Sequence, residues 1–338
     1  MRSLAIQAFR AADAACVQPE RAFAGEPERL LTRRQLLRRG VRSQDLATAV
    51  RAGDIVRVGR GLYAGGPLAA LDRIRAVALE SGGVISHESA ALIWGVPVPG
   101  IRTVSVTLPR NRHKRNARGV VTHWADLPPS EIEVVSGIAV TSPLRTLIDL
   151  ARTFQLPEAV AAADAALRMG LAQPADLAGL LRYVGRGGHL VRRMAALADG
   201  RAESPHESRV RVLLVLGGLP PEELQLVVAD PAGRWRYRFD LAYPSAKTAV
   251  EADGLEYHGG AERVRRDALR DRRAAELGWL TVRLHDADIR ASPAETVANL
   301  RRVLTERWGA EAAGDRGSVA NWGVNGGVPP RPVSRSGR

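Results

Sequence analysis

The sequence predicts a multidomain α+β protein, and three observations support this. Its 338 residues exceed the roughly 150 residues of an average domain, so two or three domains are expected. Segments with apolar residues at helical spacing alternate with shorter segments in which every second residue is apolar, the pattern of strands. Hydrophobic residues make up 45% and charged residues 25% of the chain, as in soluble globular proteins. A chain that is disordered or collagen-like over most of its length is therefore excluded.

Changes in pattern divide the chain into five predicted parts. Residues 1–30 are rich in alanine without a firm period and are assigned no role. Residues 31–66 carry two short helices and a hairpin, residues 67–200 a mixed α/β and helical middle region, and residues 201–308 a further α/β domain. Residues 309–338 are dominated by glycine, serine, proline and arginine, which predicts a disordered tail.

The first helix and the second are marked by their end signals. Thr32-Arg-Arg-Gln35 is a capping-box pattern that opens a short helix. A second helix is predicted over residues 44–52, and Gly53 ends it. Two short strand patterns follow on either side of Gly59-Arg60-Gly61, which suits a hairpin loop.

Helix, turn, helix and hairpin is the order of a winged helix, whose second helix can enter the DNA major groove while the wing contacts the backbone or minor groove. We expect Arg60 at the tip of the wing and Arg57 in its first strand to contact DNA. The alternative is a helix pair with a hairpin that only packs on the rest of the protein.

The chain carries a strong excess of positive charge. It has 49 lysines and arginines against 36 aspartates and glutamates, a net charge of +13, which favours a polyanion such as nucleic acid or an anionic membrane surface. All but two of these 49 basic residues are arginines, a usage that a GC-rich genome also produces, so the excess is discounted in part. DNA is the predicted partner.

Other features bear on the compartment. Cys16 is the single cysteine, which excludes an intrachain disulfide and a cysteine-based zinc cluster and predicts a cytoplasmic protein. No apolar stretch approaches the roughly 20 residues that cross a bilayer, so we predict no membrane span. Arg10 and Asp13 interrupt the N-terminal segment where a signal peptide needs an apolar core.

The middle region offers few functional signals. Ile85–Gly95 and Val140–Asp149 have the character of packing elements, and His87 is predicted to be structural. Residues 110–115 form a basic loop between two predicted strands, which either contacts phosphate or is a solvated hairpin tip.

The acidic residues of the C-terminal α/β domain form the main candidate site. Residues 235–242 and 248–253 predict an antiparallel strand pair, in which Phe239 and Leu241 face one way and Asp240 the other. Glu251 and Asp253 then converge with Asp240. Like charges on neighbouring strands cost stability unless they are neutralised, and a divalent cation prefers hard oxygen ligands. We therefore predict that Asp240 and Glu251 bind Mg²⁺ or Mn²⁺; the alternative is a solvated acidic face.

Two further residues join this candidate catalytic site. His258 follows Asp253 by five residues, which puts an imidazole near the same end of the sheet, able to activate water or assist a leaving group. Glu207 has two interpretations. It completes a capping box with Ser204, or it is an acid aimed from the start of a helix at the metal site.

A predicted helix over residues 261–277 is rich in arginine. Arg266 and Arg270 are expected to contact DNA phosphate, or else to pair along the helix with Asp267 and Asp271 at spacings of three and four residues.

Two stretches resemble known families. Leu31 to Gly65, with Gly53-Asp-Ile-Val-Arg-Val-Gly-Arg-Gly-Leu-Tyr63, resembles the N-terminal domain of abortive-infection AbiE-type antitoxins, and the middle region continues the resemblance more weakly. That resemblance implies a DNA-binding transcriptional regulator with a toxin partner.

Residues 204–289, with Arg238-Phe-Asp-Leu241, Val250-Glu-Ala-Asp-Gly254 and His258, resemble the very-short-patch-repair-like endonucleases of the PD-(D/E)XK superfamily. The resemblance implies a restriction-endonuclease-like fold with a mixed sheet. Asp240 would be the motif aspartate and Glu251 the second metal-binding acid, while Asp253 stands where the superfamily usually has lysine. The two lysines of the chain do not fit that position, so the site is either a histidine variant or a degenerate nuclease.

The predicted function is metal-dependent endonuclease cleavage of DNA, in defence or repair. Asp240 and Glu251 would hold Mg²⁺, His258 would act as base or proton donor, and Asp253 would orient it. The winged helix would bring this hydrolase to DNA. The alternative is an antitoxin-like DNA-binding regulator with a degenerate nuclease domain, and a third possibility is a protein-interaction scaffold.

Overall fold

A computed structural model describes residues 30–59, 61–65, 69–100, 102–112, 119–233, 235–253 and 261–312. They form two compact units, Met1–Leu150 and Ala151–Arg338. Of the predicted disordered tail, only residues 309–312 are described, and they continue the last helix. The boundaries predicted at residues 66, 200 and 308 stay a prediction. No helix in the described part of the chain is both long and apolar enough to cross a bilayer.

The first unit begins with the predicted helix pair and hairpin. Its elements are β1 (Leu30–Thr32), α1 (Arg33–Arg38), α2 (Ser43–Ala52), β2 (Val56–Gly59) and β3 (Leu62–Ala64). The three strands form a sheet in the order β1-β3-β2, with both pairings antiparallel. This is a winged-helix-like domain. Strand β1, which pairs with the second strand of the wing, is an addition to the predicted elements.

The end signals of these two helices are confirmed. The hydroxyl of Thr32 accepts a hydrogen bond from the backbone N–H of Gln35 at 3.2 Å, and the Gln35 side chain accepts from the backbone N–H of Thr32 at 2.8 Å. Gly53 ends α2 at φ +86°, a left-handed conformation that glycine adopts without strain. Leu36, Leu46 and Ile55 lie in the small core that holds α1 and α2 to the hairpin.

The rest of the first unit is built on a second sheet. Its elements are α3 (Ala70–Ser81), β4 (Val84–Ile85), α4 (His87–Trp94), β5 (Val104–Leu108), β6 (Val120–Trp124), β7 (Ile132–Val135) and β8 (Ile138–Thr141), followed by α5 (Pro143–Thr153). The strand order is β6-β5-β4-β8-β7. His87 is buried and stacks on the ring of His123 with centroids 3.6 Å apart, in agreement with a structural role. Residues 113–115 of the predicted basic loop lie outside the described residues.

The second unit starts with four helices, and a mixed sheet follows. The four helices are α6 (Leu156–Arg168), α7 (Pro174–Leu180), α8 (Gly188–Leu197) and α9 (Pro205–Leu216). The strands of the sheet are β9 (Glu223–Ala229), β10 (Arg236–Tyr243), β11 (Thr248–Asp253) and β12 (Leu280–His285). Helix α10 (Ala261–Glu276) lies between β11 and β12 in the chain, and α11 (Asp286–Ala291) and α12 (Pro293–Ala312) follow β12. The strand order is β12-β11-β10-β9. Strands β9, β10 and β11 are antiparallel neighbours, whereas β12 runs parallel to β11 through the α10 crossover.

The prediction that Phe239 and Leu241 share one face of the sheet is wrong. Phe239 packs with Ala274 of α10 and the Trp279 ring, whereas Leu241 packs on the other side of the sheet with α9. The cause is an irregularity at Asp240. Asp240 and the residue opposite it on β9, Gln225, are missing from the register, and Gln225 has a φ of +55°. The period-2 alternation breaks at this point, where the Asp240 carboxylate accepts the N–H of Ala252 at 3.0 Å.

A buried ion pair fixes α9 on α6. Asp164 is fully buried and binds the guanidinium of Arg211 at 2.8 Å. The second oxygen of this carboxylate accepts the N–H of Asp199 at 2.6 Å. Burial raises the pKa of Asp164, because removal from water disfavours its charged form. The position of α9 matters because this helix carries Glu207 at its start.

Arg211→Met should destabilise the protein by about 3 to 5 kcal/mol at neutral pH, because it leaves a buried carboxylate without its counter-ion. Urea unfolding followed by far-UV circular dichroism measures the loss. Arg193→Met, at an exposed arginine of α8, is the matched control and should change stability by less than about 0.5 kcal/mol. Equal stability of the two variants would contradict the role of the buried pair.

Candidate functional site

Asp240 and Glu251 lie side by side on adjacent strands. The antiparallel register ends with Leu241 of β10 opposite Val250 of β11, one residue from each acid. The two carboxylates are close enough that the negative charge of Asp240 adds to the effect of burial on the pKa of Glu251. Asp240 is half-buried and Glu251 is 9% exposed. The predicted convergence of these two acids is therefore present in the fold.

Both carboxyl groups are poorly solvated, and this changes their acidity. Burial raises the pKa of Asp240 above its usual range, while the Ala252 N–H and the charges of Arg270 and Arg238 oppose that effect. Burial also raises the pKa of Glu251, with a further contribution from the negative charge of Asp240, to about 7. The pair therefore needs a positive charge close by.

Arg270 of α10 supplies that charge. Its Nη2 donates to Oε1 of Glu251 at 2.8 Å and to the backbone carbonyl of Arg238 at 2.6 Å. The guanidinium also lies over the rings of Tyr237 and Phe239, at 5.5 and 5.8 Å from their centroids. Arg270 thus ties α10 to β10 and β11, and it is the residue whose role the sequence interpretation missed.

The pairing predicted along the arginine-rich helix is wrong for Arg270 and Asp271. Arg270 binds Glu251 of the sheet, and Asp271 binds Arg283 of β12 at 2.6 Å. Helical spacing could not show this, because both partners come from strands distant in sequence. Arg266 is exposed on α10, and its contact with DNA phosphate stays a prediction.

Glu207 combines features of its two interpretations. Ser204 caps α9 by accepting the N–H of Glu207 at 3.1 Å. The Glu207 carboxylate accepts hydrogen bonds from the backbone N–H of Glu203 and from the side-chain amide of Gln225, both at 2.8 Å. In a capping box it would accept the N–H of the cap residue Ser204, but here its backbone donor is one residue earlier. Burial, and secondarily the charge of Asp240, raises the pKa of Glu207. It therefore belongs to the same electrostatic cluster as Asp240.

The third acid of the predicted site, Asp253, lies at the end of its strand. Asp253 ends β11 opposite His285 of β12, with 3.7 Å between its Oδ2 and the His285 Nδ1. His258, the predicted catalytic base, and Arg60, the predicted wing tip, lie outside the described residues. Arg57 is exposed on β2.

The two central acids have the chemistry of a Mg²⁺ or Mn²⁺ site. Their described hydrogen bonds use one oxygen of each, Oδ2 of Asp240 and Oε1 of Glu251. Mg²⁺ is commonly bound by one or two carboxylates, with water and substrate phosphate completing its shell. The donors therefore fit a cation shared with a phosphate. Within the described ranges, no group of three or more His, Cys, Asp or Glu residues is placed to hold a metal ion.

The described elements make this a multidomain α+β protein with an N-terminal winged-helix-like domain. A family model described as "Transcriptional regulator, AbiEi antitoxin" matches residues 21–64, and one described as "AbiEi antitoxin C-terminal domain" matches residues 75–198. The resemblance of the N-terminal and middle regions to antitoxins is thus confirmed. No comparison supports the resemblance of residues 204–289 to endonucleases.

The chain is similar to two proteins from two strains of Mycobacterium tuberculosis, named Uncharacterized protein MT2308 and Uncharacterized protein Rv2248. Each is 32% identical to this chain over 265 residues, and the alignment covers 77% of this chain and 96% of the relative. The chain therefore belongs to the family of these mycobacterial proteins, and it carries both AbiEi antitoxin domains. A crystal structure of the RV2827C protein from Mycobacterium tuberculosis aligns with a TM-score of 0.40 and 15% identity, covering 65% of this chain and 89% of that one.

Glu251→Gln should make stability less dependent on pH. The raised pKa means that the folded state holds a proton more tightly than the unfolded state, so the wild type loses stability as pH rises from about 4.5 to about 7. Glutamine cannot ionise. The variant should therefore be about 1 to 3 kcal/mol more stable than the wild type at pH 8 and similar to it at pH 4.5.

Chemical unfolding across this pH range tests the expectation. Glu276→Gln, at an exposed position of α10, is the matched control and should change stability by less than about 0.5 kcal/mol at either pH. A Glu251→Gln protein that is less stable than the wild type at pH 8 would show that the charge of Glu251 is favourable in the fold.

Proposed function

We propose that this protein is a DNA-binding transcriptional regulator of the antitoxin type, and that its winged-helix domain contacts DNA. The observation that carries the proposal is the charge of that domain. Its described residues include seven arginines against two aspartates, Asp45 and Asp54. The arginines are Arg33, Arg34, Arg38, Arg39, Arg42, Arg51 and Arg57. Such an excess favours the phosphate backbone of DNA.

Helix α2 has the side chains of a recognition helix. Leu46 and Ala49 are buried, whereas Gln44, Thr48 and Arg51 are exposed at spacings of four and three residues, so they share one face. Glutamine and arginine form bidentate hydrogen bonds with adenine and guanine in the major groove, and threonine contacts either base edges or the thymine methyl. We infer that this face reads the operator, while Arg57 contacts the backbone from the wing.

The antitoxin domains imply a second partner. Because the matching family is described as an antitoxin, we propose that the protein also acts with a toxin protein, and that DNA binding controls the expression of that pair.

Arg51→Ala and Arg57→Ala should each weaken duplex binding by the full-length protein. Each lost phosphate contact lowers the slope of log affinity against log salt by about 0.9, whereas loss of a base contact weakens binding without changing that slope. Fluorescence anisotropy with operator DNA at several salt concentrations measures both quantities. Arg193→Ala, at an exposed arginine of α8, should bind as the wild type does. Unchanged binding by both variants would favour the alternative that the winged helix only packs.

A second candidate function is metal-dependent cleavage of DNA, and the pairing of Asp240 with Glu251 favours it. These carboxylates would hold Mg²⁺ or Mn²⁺. When bound, such a cation polarises a phosphate and lowers the pKa of a water ligand. Arg270 would balance the remaining charge, and Glu207 would keep Asp240 in a poorly solvated environment. His258 would act as base or proton donor, and Asp253 would orient it.

Nicking of supercoiled plasmid with Mg²⁺ or Mn²⁺ tests this second function. Asp240→Asn should abolish nicking with little effect on the fold, because the asparagine oxygen can still accept the Ala252 N–H while one charged ligand is lost. Asp288→Asn, at an exposed acid of α11, is the matched control and should nick as the wild type does. A wild-type protein that does not nick plasmid with either cation would leave the regulator as the sole function.

A further inference from the structure

In the second unit, part of β9 and β10 is paired as two strands. Strand β10 pairs with β11 only from Leu241 to Tyr243, whereas it pairs with β9 from Arg236 onward. Among the residues that the structure describes, the segments 226–229 and 236–239 therefore pair only with each other, as a two-stranded ribbon.

The two faces of this ribbon differ. One face is covered, because Tyr237 and Phe239 lie against Arg270 of α10. The other face is open and holds two cross-strand pairs, Arg236 with Ala229 and Arg238 with Val227, in which all four residues are exposed. We call these four residues the ribbon face.

The ribbon face is basic and carries no acid of its own. Its cross-strand partners are uncharged, and Val227 is 47% exposed. Arg238 binds the carboxylate of Glu203 at 2.5 Å, but both side chains are about half exposed (52% and 48%). Exposed ion pairs contribute little to stability, so a phosphate can replace Glu203 without loss to the fold.

We propose that the ribbon face is a second binding site for duplex DNA, separate from the winged helix. A two-stranded β-ribbon fits the major groove of DNA, and exposed arginines supply contacts to phosphate and guanine. Alternate residues of a strand lie about 6.6 Å apart, so Arg236 and Arg238 reach successive points along the groove. The site does not require cleavage by Asp240 and Glu251, and it goes beyond DNA binding through α2.

The test uses the full-length protein with Arg51→Ala and Arg57→Ala, in which the winged helix is weakened. This parent should still bind a duplex oligonucleotide in low salt. Adding Arg236→Gln and Arg238→Gln should lower its affinity at least about tenfold and reduce the salt slope by about 1.8, the sum of two phosphate contacts. Arg182→Gln with Arg193→Gln, exposed arginines in the same unit, removes the same charge and should leave affinity and slope nearly unchanged.

Loss of all binding in the parent, or equal effects of the ribbon and control pairs, would overturn the proposal. Tighter binding of a single strand than of the duplex would overturn the assignment to duplex DNA. A photo-crosslinking residue at Val227 gives a second readout, because it should crosslink duplex DNA while the same residue at Val184, exposed elsewhere in the unit, should not. If the wild type binds DNA but the Arg236→Gln and Arg238→Gln substitutions do not change its affinity, the winged-helix proposal is unaffected.

Discussion

The structure of the second unit depends on how the charge of two neighbouring carboxylates is balanced. Asp240 and Glu251 meet on adjacent strands in a poorly solvated position, where two negative charges repel each other. Arg270 offsets this by binding Glu251 and the backbone carbonyl of Arg238. Because Arg270 comes from α10, the same side chain ties that helix to the sheet and covers one face of the two-stranded ribbon.

This arrangement links the two candidate functions of the chain. A metal cation held by the two carboxylates would compete with the guanidinium of Arg270, because both positive groups bind the same negative charge. If Arg270 alone balances the charge of the acid pair, the sheet is stable without a metal ion, which suits a DNA-binding regulator. A protein that also binds Mg²⁺ needs a phosphate to complete the metal shell. The antitoxin domains favour the regulator, while the chemistry of the acid pair keeps cleavage as a second proposal.

Local signals in the sequence predicted the winged helix and the antiparallel pair formed by β10 and β11. The Thr32 capping box and the Gly53 helix end follow from nearby residues, and both are present. Contacts between distant segments could not be predicted in this way. Strand alternation failed at Asp240, because the ladder is irregular there and Gln225 opposite it has a positive φ. Helical spacing failed at Arg270, because its partner is Glu251 on the sheet. The predicted role of His258 stays a prediction.

A double-mutant cycle of Glu251→Gln and Arg270→Gln at pH 8 tests the central claim most directly. Arg270→Gln alone leaves the buried carboxylate of Glu251 without its counter-ion, whereas in the Glu251→Gln background much of that cost has gone. The account predicts a favourable coupling free energy of about 1 to 3 kcal/mol between the two side chains, measured by urea unfolding. Additive effects, within about 0.5 kcal/mol, would contradict the claim that Arg270 balances the acid pair.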